Sequence, residues 1–158
     1  MAIERVKEFF KGTELEEKVI ELAESSATVE LAAHALHTEP DRIAKTLSYL
    51  VDDTPILVVA SGMSRVDNKK YKAQFAKKAK MIPFEEVEDY IGHAPGGVCP
   101  FARKEGVRVY LDESLRKYDT VFPAAGSSNS AIEMTMEQLE KFTGYTAWVD
   151  VCKEPEEG

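Results

Sequence analysis

Apolar residues at Ile3, Val6, Phe9 and Phe10 recur at helical spacing and predict a helix over residues 3–11. The next stretch, TELEEKVIELAESS, has helix-forming composition but only a short apolar centre, Val19-Ile20-Glu21-Leu22. Periodicity therefore leaves it open between helix and strand. ATVELAAHALHTEPDRIAK predicts a helix that starts near Thr28 and stops before Pro40, then a short second turn. TLSYLV and PILVVA are β-rich apolar runs separated by Asp52-Asp53-Thr54, a hairpin pattern. Asp67 is placed to cap a basic helix running to Ala76, and PFEEVEDYIG predicts a short helix ended by Gly92. VRVYLD, TVFPAA and AIEM predict strands; Thr135 caps MEQLEKFTG, and Gly144 stands as its C-terminal stop. TAWVDV closes as a strand, and KEPEEG is expected to be a frayed acidic tail.

Strands outnumber helices and often follow one another directly. The expectation is an α+β fold over residues 1–158 as one compact domain, with the tail at about 153–158 and a mixed or antiparallel sheet, closed or half-closed, flanked by helices. A chain of 158 residues suits one domain, and 44% hydrophobic content suffices for a core. No apolar run approaches the roughly 20 residues that span a bilayer, and MAIERVKEFFKG is too charged for a secretory signal. A soluble, cytoplasmic protein is expected. The two cysteines, Cys99 and Cys152, form no disulfide framework.

Charge changes the picture once it is divided. The chain carries −8 overall, which argues against a polyanion partner. Arg65 to Lys80, however, holds seven basic residues against Asp67 alone, a local +6 that leaves −14 for the remainder. Such a run is either a solvated helix face or a phosphate-binding footprint on an acidic protein.

The candidate chemistry narrows by elimination. His34 and His37 sit three apart on a helix, but no cysteine or second histidine pair has ligand spacing, so no metal site is expected. GxGxxG and GxxxxGK[ST] are both absent, so no nucleotide cofactor is expected. There is no G-x-S-x-G elbow, and Cys99 lies six residues from His93, which is compatible with either a nucleophile or a pocket-lining side chain. Two loops remain. GGVCPF can bring backbone N–H groups close to a ligand because Gly96 and Gly97 lack Cβ atoms, and Pro100 fixes its exit. PAAGSSNS offers Gly126 and small polar side chains. Each is an ordinary turn or half of an oxyanion hole and polar clamp. Lys45, at the start of an apolar strand, either snorkels or presents a fixed charge to an anion.

Taken together, TVELAAHALHTEPDRIAKTL, PILVVASG, RVDNKKYKAQF, GGVCPF and AAGSSNSAIEMT resemble the YbaK/EbsC family, over roughly Val19 to Gly144 and in family order. That family includes aminoacyl-tRNA deacylases and the editing insertion of bacterial prolyl-tRNA synthetases. The resemblance implies a mixed, barrel-like sheet and makes Lys18 to Leu22 a strand. It places the family lysine at Lys45, its G-x-x-x-P loop at Gly96 to Pro100, and its second glycine loop at Gly126 to Asn129. In several members a serine or other small residue replaces Cys99, which weakens the nucleophile reading. Ala102 stands where many members carry glycine, and Ala131 where some deacylases carry an aspartate.

The function this implies is hydrolysis of a mischarged aminoacyl-tRNA bearing a small amino acid, by water attack on the ester. Lys45, Gly96 and Gly97 are the expected catalytic positions. Thr28, Thr46, Val98, Cys99, Pro100, Phe101, Gly126, Ser127, Ser128 and Asn129 are expected to bind the substrate. Arg65, Lys69, Lys70 and Lys72 are expected to meet tRNA phosphates. The expected partners are tRNA and an aminoacyl-tRNA synthetase. A non-catalytic module binding aminoacyl-tRNA or a synthetase is the alternative, and a thiol hydrolase using Cys99 ranks third.

Overall fold

The long hairpin organises the molecule. In the computed structural model, which describes residues 2–26 and 28–154, β2 (Ile43–Val51) and β3 (Thr54–Ser61) pair antiparallel through a turn in which Asp52 has φ 52°. β3 then pairs parallel with β5 (Arg108–Asp112), which pairs parallel with β9 (Ala147–Val149). On its other side β2 pairs parallel with β6 (Thr120–Pro123), which pairs antiparallel with β8 (Met134–Thr135). The six-stranded order is thus β8-β6-β2-β3-β5-β9, a mixed sheet curled into a half-barrel within a single α+β domain.

The continuous apolar run of β3 is explained by burial on both faces. Leu57 and Val59 enter the main core with Phe10, Phe101, Leu111 and Leu139, whereas Ile56, Val58 and Ala60 meet Tyr49, Tyr71 and Val151 on the opposite face. Helix α1 (Ala2–Phe10) buries Ile3, Val6 and Phe10 but leaves Phe9 exposed. Helix α3 (Asn68–Phe75) starts at Asp67, whose side chain accepts from Lys69 N and Lys70 N, and ends at Ala76 in the left-handed region. Helix α4 (Val87–Ile91) ends on Gly92; α5 (Met136–Thr143) has a capping box between Thr135 and Gln138 and ends on Gly144.

Three expectations change. AIEM does not form one strand: β7 (Ser130–Ala131) pairs with β1 (Ile20–Glu21), and Met134 begins β8. Ser130 and Ala131 face β1, whereas Met134 pairs with Val121 of β6, so the two pairs belong to different sheets. Lys153 is not frayed, because β10 (Cys152–Lys153) pairs with β4 (Arg65–Val66). The remainder of the acidic tail, residues 155–158, lies outside the described residues. Finally, TVFPAA ends as β6 at Pro123, and Ala124 continues it only as an antiparallel bridge to Ala131. No helix among the described residues is long and apolar enough to cross a membrane.

Candidate active site

A gap in the sheet makes the site. The outer edge of β2 is covered by β6 only at Ile43 and Ala44. It is covered again further along by residues 80–82, where Leu50 N donates to Lys80 O (2.9 Å) and Ile82 N donates to Ser48 O (3.1 Å). Peptide groups alternate along a strand, so Thr46, two residues before Ser48, turns its own N–H and C=O to this same edge. Between the two covers no strand among the described residues lies against it.

A cavity of 440 Å³ occupies that gap, within the usual range for a small-ligand site. Its wall comes from helix α2 (Val29–Leu36), whose N-cap Thr28 accepts from Leu31 N, from β2 between Ile43 and Ser48, from Met81, Ile82, Phe84 and Val87, and from Gly96, Val98 and Ala131. Most of the wall is aliphatic or aromatic. Two hydroxyls in it, Ser26 Oγ and Thr46 Oγ1, are buried without a hydrogen-bond partner. Buried polar groups are normally satisfied, so both mark where a polar ligand atom would sit. Among the described residues Lys45 is the one charged side chain of the wall.

Lys45 is half-buried, and burial lowers its pKa below the ordinary lysine range. Its Nζ donates to Gly62 O (3.2 Å) and to Ser64 O. Two of its three protons are thereby engaged, and one is left. The turn that holds it is itself pinned: Asp41 Oδ1 accepts from Met63 N (2.9 Å), and Ser61 Oγ and Ser64 Oγ lie 2.6 Å apart. Gly62 is pressed against the cavity wall, since a Cβ there would lie 2.0 Å from Pro40 O and 2.8 Å from Val29 Cγ1. Lys45 thus sits at the α2 end of the cavity, tethered to the 62–64 turn.

The double-glycine loop forms another part of the wall. Gly96 has φ 91° and lines the cavity with Val98. Gly97 does not line it. Its N–H closes a turn on Ala94 O (3.1 Å), and a Cβ would lie 2.7 Å from Ser127 Cα and N. The two glycine-bearing loops therefore touch backbone to backbone at Gly97. The 126–129 loop does not line the cavity either. Ser128 O accepts from Ser26 N (2.6 Å), Asn129 O accepts from Leu22 N (2.7 Å), and Ser127 Oγ lies 2.7 Å from Ser130 Oγ. Ser128 and Asn129 thus hold the wall segment that carries Ser26, and Ser127 bonds within its own loop.

Cys99, Pro100 and Phe101 do not line the cavity. Cys99 and Phe101 are fully buried in the main core, where Phe101 packs edge-on to Phe10. Burial pushes the Cys99 thiol up to about 12. His93 is buried as well, and its Nε2 lies 2.7 Å from Phe101 O. A carbonyl only accepts, so Nε2 carries the proton and the ring is neutral, as its burial-lowered pKa requires. The pair Cys99–His93, 3.6 Å apart, braces the loop from inside the core and is not a nucleophile with its base. Native protein at pH 8 is expected to leave Cys99 unalkylated by iodoacetamide over an hour, with full labelling in denaturant; rapid native labelling, read by mass spectrometry, would contradict this burial.

Sequence reasoning missed Arg103. With no acidic partner among the described residues, its half-buried guanidinium donates to Pro100 O (2.9 Å), Val107 O (2.8 Å) and Thr143 O (2.6 Å). It ties the loop exit to the C-terminal carbonyls of α5. The only sequence signal was a cation just after GGVCPF. Ala102 has φ 52°, a left-handed conformation suited to the glycine of similar sequences.

Among the predicted phosphate contacts, Arg65, Lys69 and Lys72 are exposed. Lys70 is exposed too and is bonded to Asp150 Oδ1 (3.0 Å) and Cys152 O (2.9 Å), because α3 packs beside the C-terminal strand. Among the described residues no three His, Cys, Asp or Glu side chains group as metal ligands.

The fold is thus a curled α+β half-barrel with a cavity at a gap in its sheet, lined by Lys45 and Gly96. Residues 23–142 match the aminoacyl-tRNA editing domain, and the chain belongs to that family. It is 45% identical over 155 residues to the uncharacterized protein YwhH of Bacillus subtilis (strain 168), covering 98% of this chain and 99% of that one. It is 23% identical over 125 residues to the proline–tRNA ligase of Lactiplantibacillus plantarum, covering 78% of this chain and 22% of the ligase. A crystal structure of a candidate trans-editing enzyme for prolyl tRNA synthetase superposes with TM-score 0.85 at 30% identity, covering 98% of each chain.

Proposed function

We propose that the protein is a deacylase that removes a small amino acid from the 3′ end of a mischarged tRNA. The observation that carries this reading is the single cavity in which Lys45, the Gly96 bend and two unpartnered hydroxyls meet. The N–H groups of Gly96 and Val98 receive the ester carbonyl, and the remaining proton of Lys45 supports the developing charge or the terminal phosphate. Thr46 C=O and the Ser26 and Thr46 hydroxyls accept from the amino group of the substrate, for which the wall holds no carboxylate. Water adds to the carbonyl carbon, and the tetrahedral oxyanion collapses and expels the ribose oxygen. The proton lost by water passes to the ribose oxygens, since the wall offers no carboxylate or imidazole base. The products are a free amino acid and an uncharged tRNA.

Size selects the substrate. Ala32, Ala44, Val98 and Ala131 give the wall small side chains, which suits a small amino acid. The need is clear, because a synthetase pocket rejects a side chain one methylene smaller by only about 10- to 200-fold. The ligase similarity and the structural neighbour support tRNA of the proline system and its synthetase as partners. Arg65, Lys69 and Lys72 follow the acceptor-stem phosphates.

Alanyl-, cysteinyl-, seryl- and threonyl-tRNA assayed side by side test this. Alanyl-tRNA is expected to be hydrolysed fastest and threonyl-tRNA slowest. No acceleration of any of the four above spontaneous hydrolysis would overturn the deacylase.

A further inference from the structure

Phe84 is 75% exposed, the most exposed large apolar side chain among the described residues, and Met81 is 57% exposed. Both belong to the cavity wall. A single exposed apolar residue needs no explanation, but these two line one cavity on a segment that is paired with β2. Ile82 N donates to Ser48 O (3.1 Å), Tyr49 and Met81 form a β-bridge, and Ile82 is buried in the main core. Pro83 then fixes the entry to the short 3-10 turn Phe84–Glu86. An aromatic face is therefore presented to solvent beside a cavity at little further ordering cost.

We propose that Phe84, with Met81, is the stacking platform for the base of the terminal nucleotide whose ester enters the cavity; this rests on the editing reading of that cavity. Charge on either side sets the chemistry. Lys78 and Lys80 precede the platform, are exposed, and have no acidic partner among the described residues. Glu85 and Glu86 follow it and are exposed. Phosphates are steered to the lysine side, and the glutamates keep them off the platform, so the group that reaches Phe84 is uncharged and flat. A nucleobase has such a face, and stacking of a base on an aromatic ring is sequence-tolerant. The ester is thus fixed at one end by the double-glycine loop and at the other by its own base.

Two readouts test the proposal. Phe84→Ala is expected to raise KM for alanyl-tRNA by about 5- to 150-fold with kcat within twofold, and Phe84→Tyr to restore it. Independently, Phe84→Trp on a Trp148→Phe background is titrated with 3′-deoxy-3′-alanylamido-adenosine, a stable amide, and with the same amide on a ribose lacking the base. If the double variant does not fold, Phe84→Trp alone is used and the Trp148 emission of the parent is subtracted. The adenosine probe is expected to quench the emission of the introduced indole and to bind at least fivefold tighter than the baseless one. An unchanged KM in Phe84→Ala, or equal binding of the two probes, overturns the platform. Quenching without any hydrolysis by the native protein would uphold the platform while removing the deacylase. A platform that instead docks a synthetase would bind both probes alike and lose synthetase co-migration in Phe84→Ala, which also overturns the proposal.

Discussion

Gly97→Ala is expected to lower kcat/KM for the preferred mischarged tRNA by roughly 100- to 1000-fold, the range seen when an oxyanion donor is lost. The added methyl would lie 2.7 Å from Ser127 Cα and N and 2.9 Å from Gly126 C. These are backbone atoms, which cannot swing aside as a side-chain tip does. The two loops must separate, and the Gly96 and Val98 amides move with them. A misplacement of about 1 Å at a reacting centre can cost on the order of 100-fold. Stability should suffer less, by about 1–3 kcal/mol, the usual result of overpacking. Rates measured well below the melting temperature, beside a thermal melt of the same sample, separate the two effects. A folded Gly97→Ala with native kcat/KM would show that loop position does not matter to the reaction.

Lys45→Ala is expected to lose activity on the order of 100-fold, and Lys45→Arg should not restore it. The ammonium reaches Gly62 O and Ser64 O as a point charge and keeps one proton for the ligand. A planar guanidinium cannot satisfy both carbonyls and project into the cavity in the same way. Leaving the carbonyls short of a donor costs about 1–3 kcal/mol, so a melt again accompanies the assay. The lowered pKa adds a sign that can be checked. Burial disfavours the charged form, so the ammonium deprotonates below the pH at which an exposed lysine does. Enzyme-dependent hydrolysis, after subtraction of alkaline background, should decline on that side. Full activity in Lys45→Ala removes Lys45 from the reaction.

Local chemistry made much of this fold legible. Thr28, Asp67 and Thr135 cap helices because a short oxygen-bearing side chain precedes each periodic run, and Gly92 and Gly144 end helices where a left-handed residue is needed. The β2–β3 hairpin was equally plain from two apolar runs around Asp52. What escaped were pairings of two residues each. β4 with β10 and β1 with β7 are too short to show a period, and their partners lie far along the chain. The Lys18-to-Leu22 strand came from family resemblance, not from its own pattern.

The site was legible at its corners and not in its walls. Lys45, Thr28, Thr46, Gly96 and Val98 do surround one cavity. Cys99 and Phe101 face the core, because the alternation of the loop points them there, and no sequence rule gives the direction of a side chain in an irregular turn. The 126–129 loop looked like a polar clamp, yet its groups are spent on Leu22, Ser26 and Ser130. Ser26, Met81 and Phe84 reach the cavity only because residues 22–26 and 80–82 are drawn against sheet edges.

The most direct measurement is turnover counting: alanyl-tRNA in fiftyfold excess over protein, with released alanine followed to completion. The account predicts that each molecule of protein releases many equivalents at a constant initial rate, and that alkylated and untreated protein behave alike. Release that stops at or below one equivalent, with tRNA retained on the protein, would make the cavity a holder of aminoacyl ends and contradict the chemistry assigned to it.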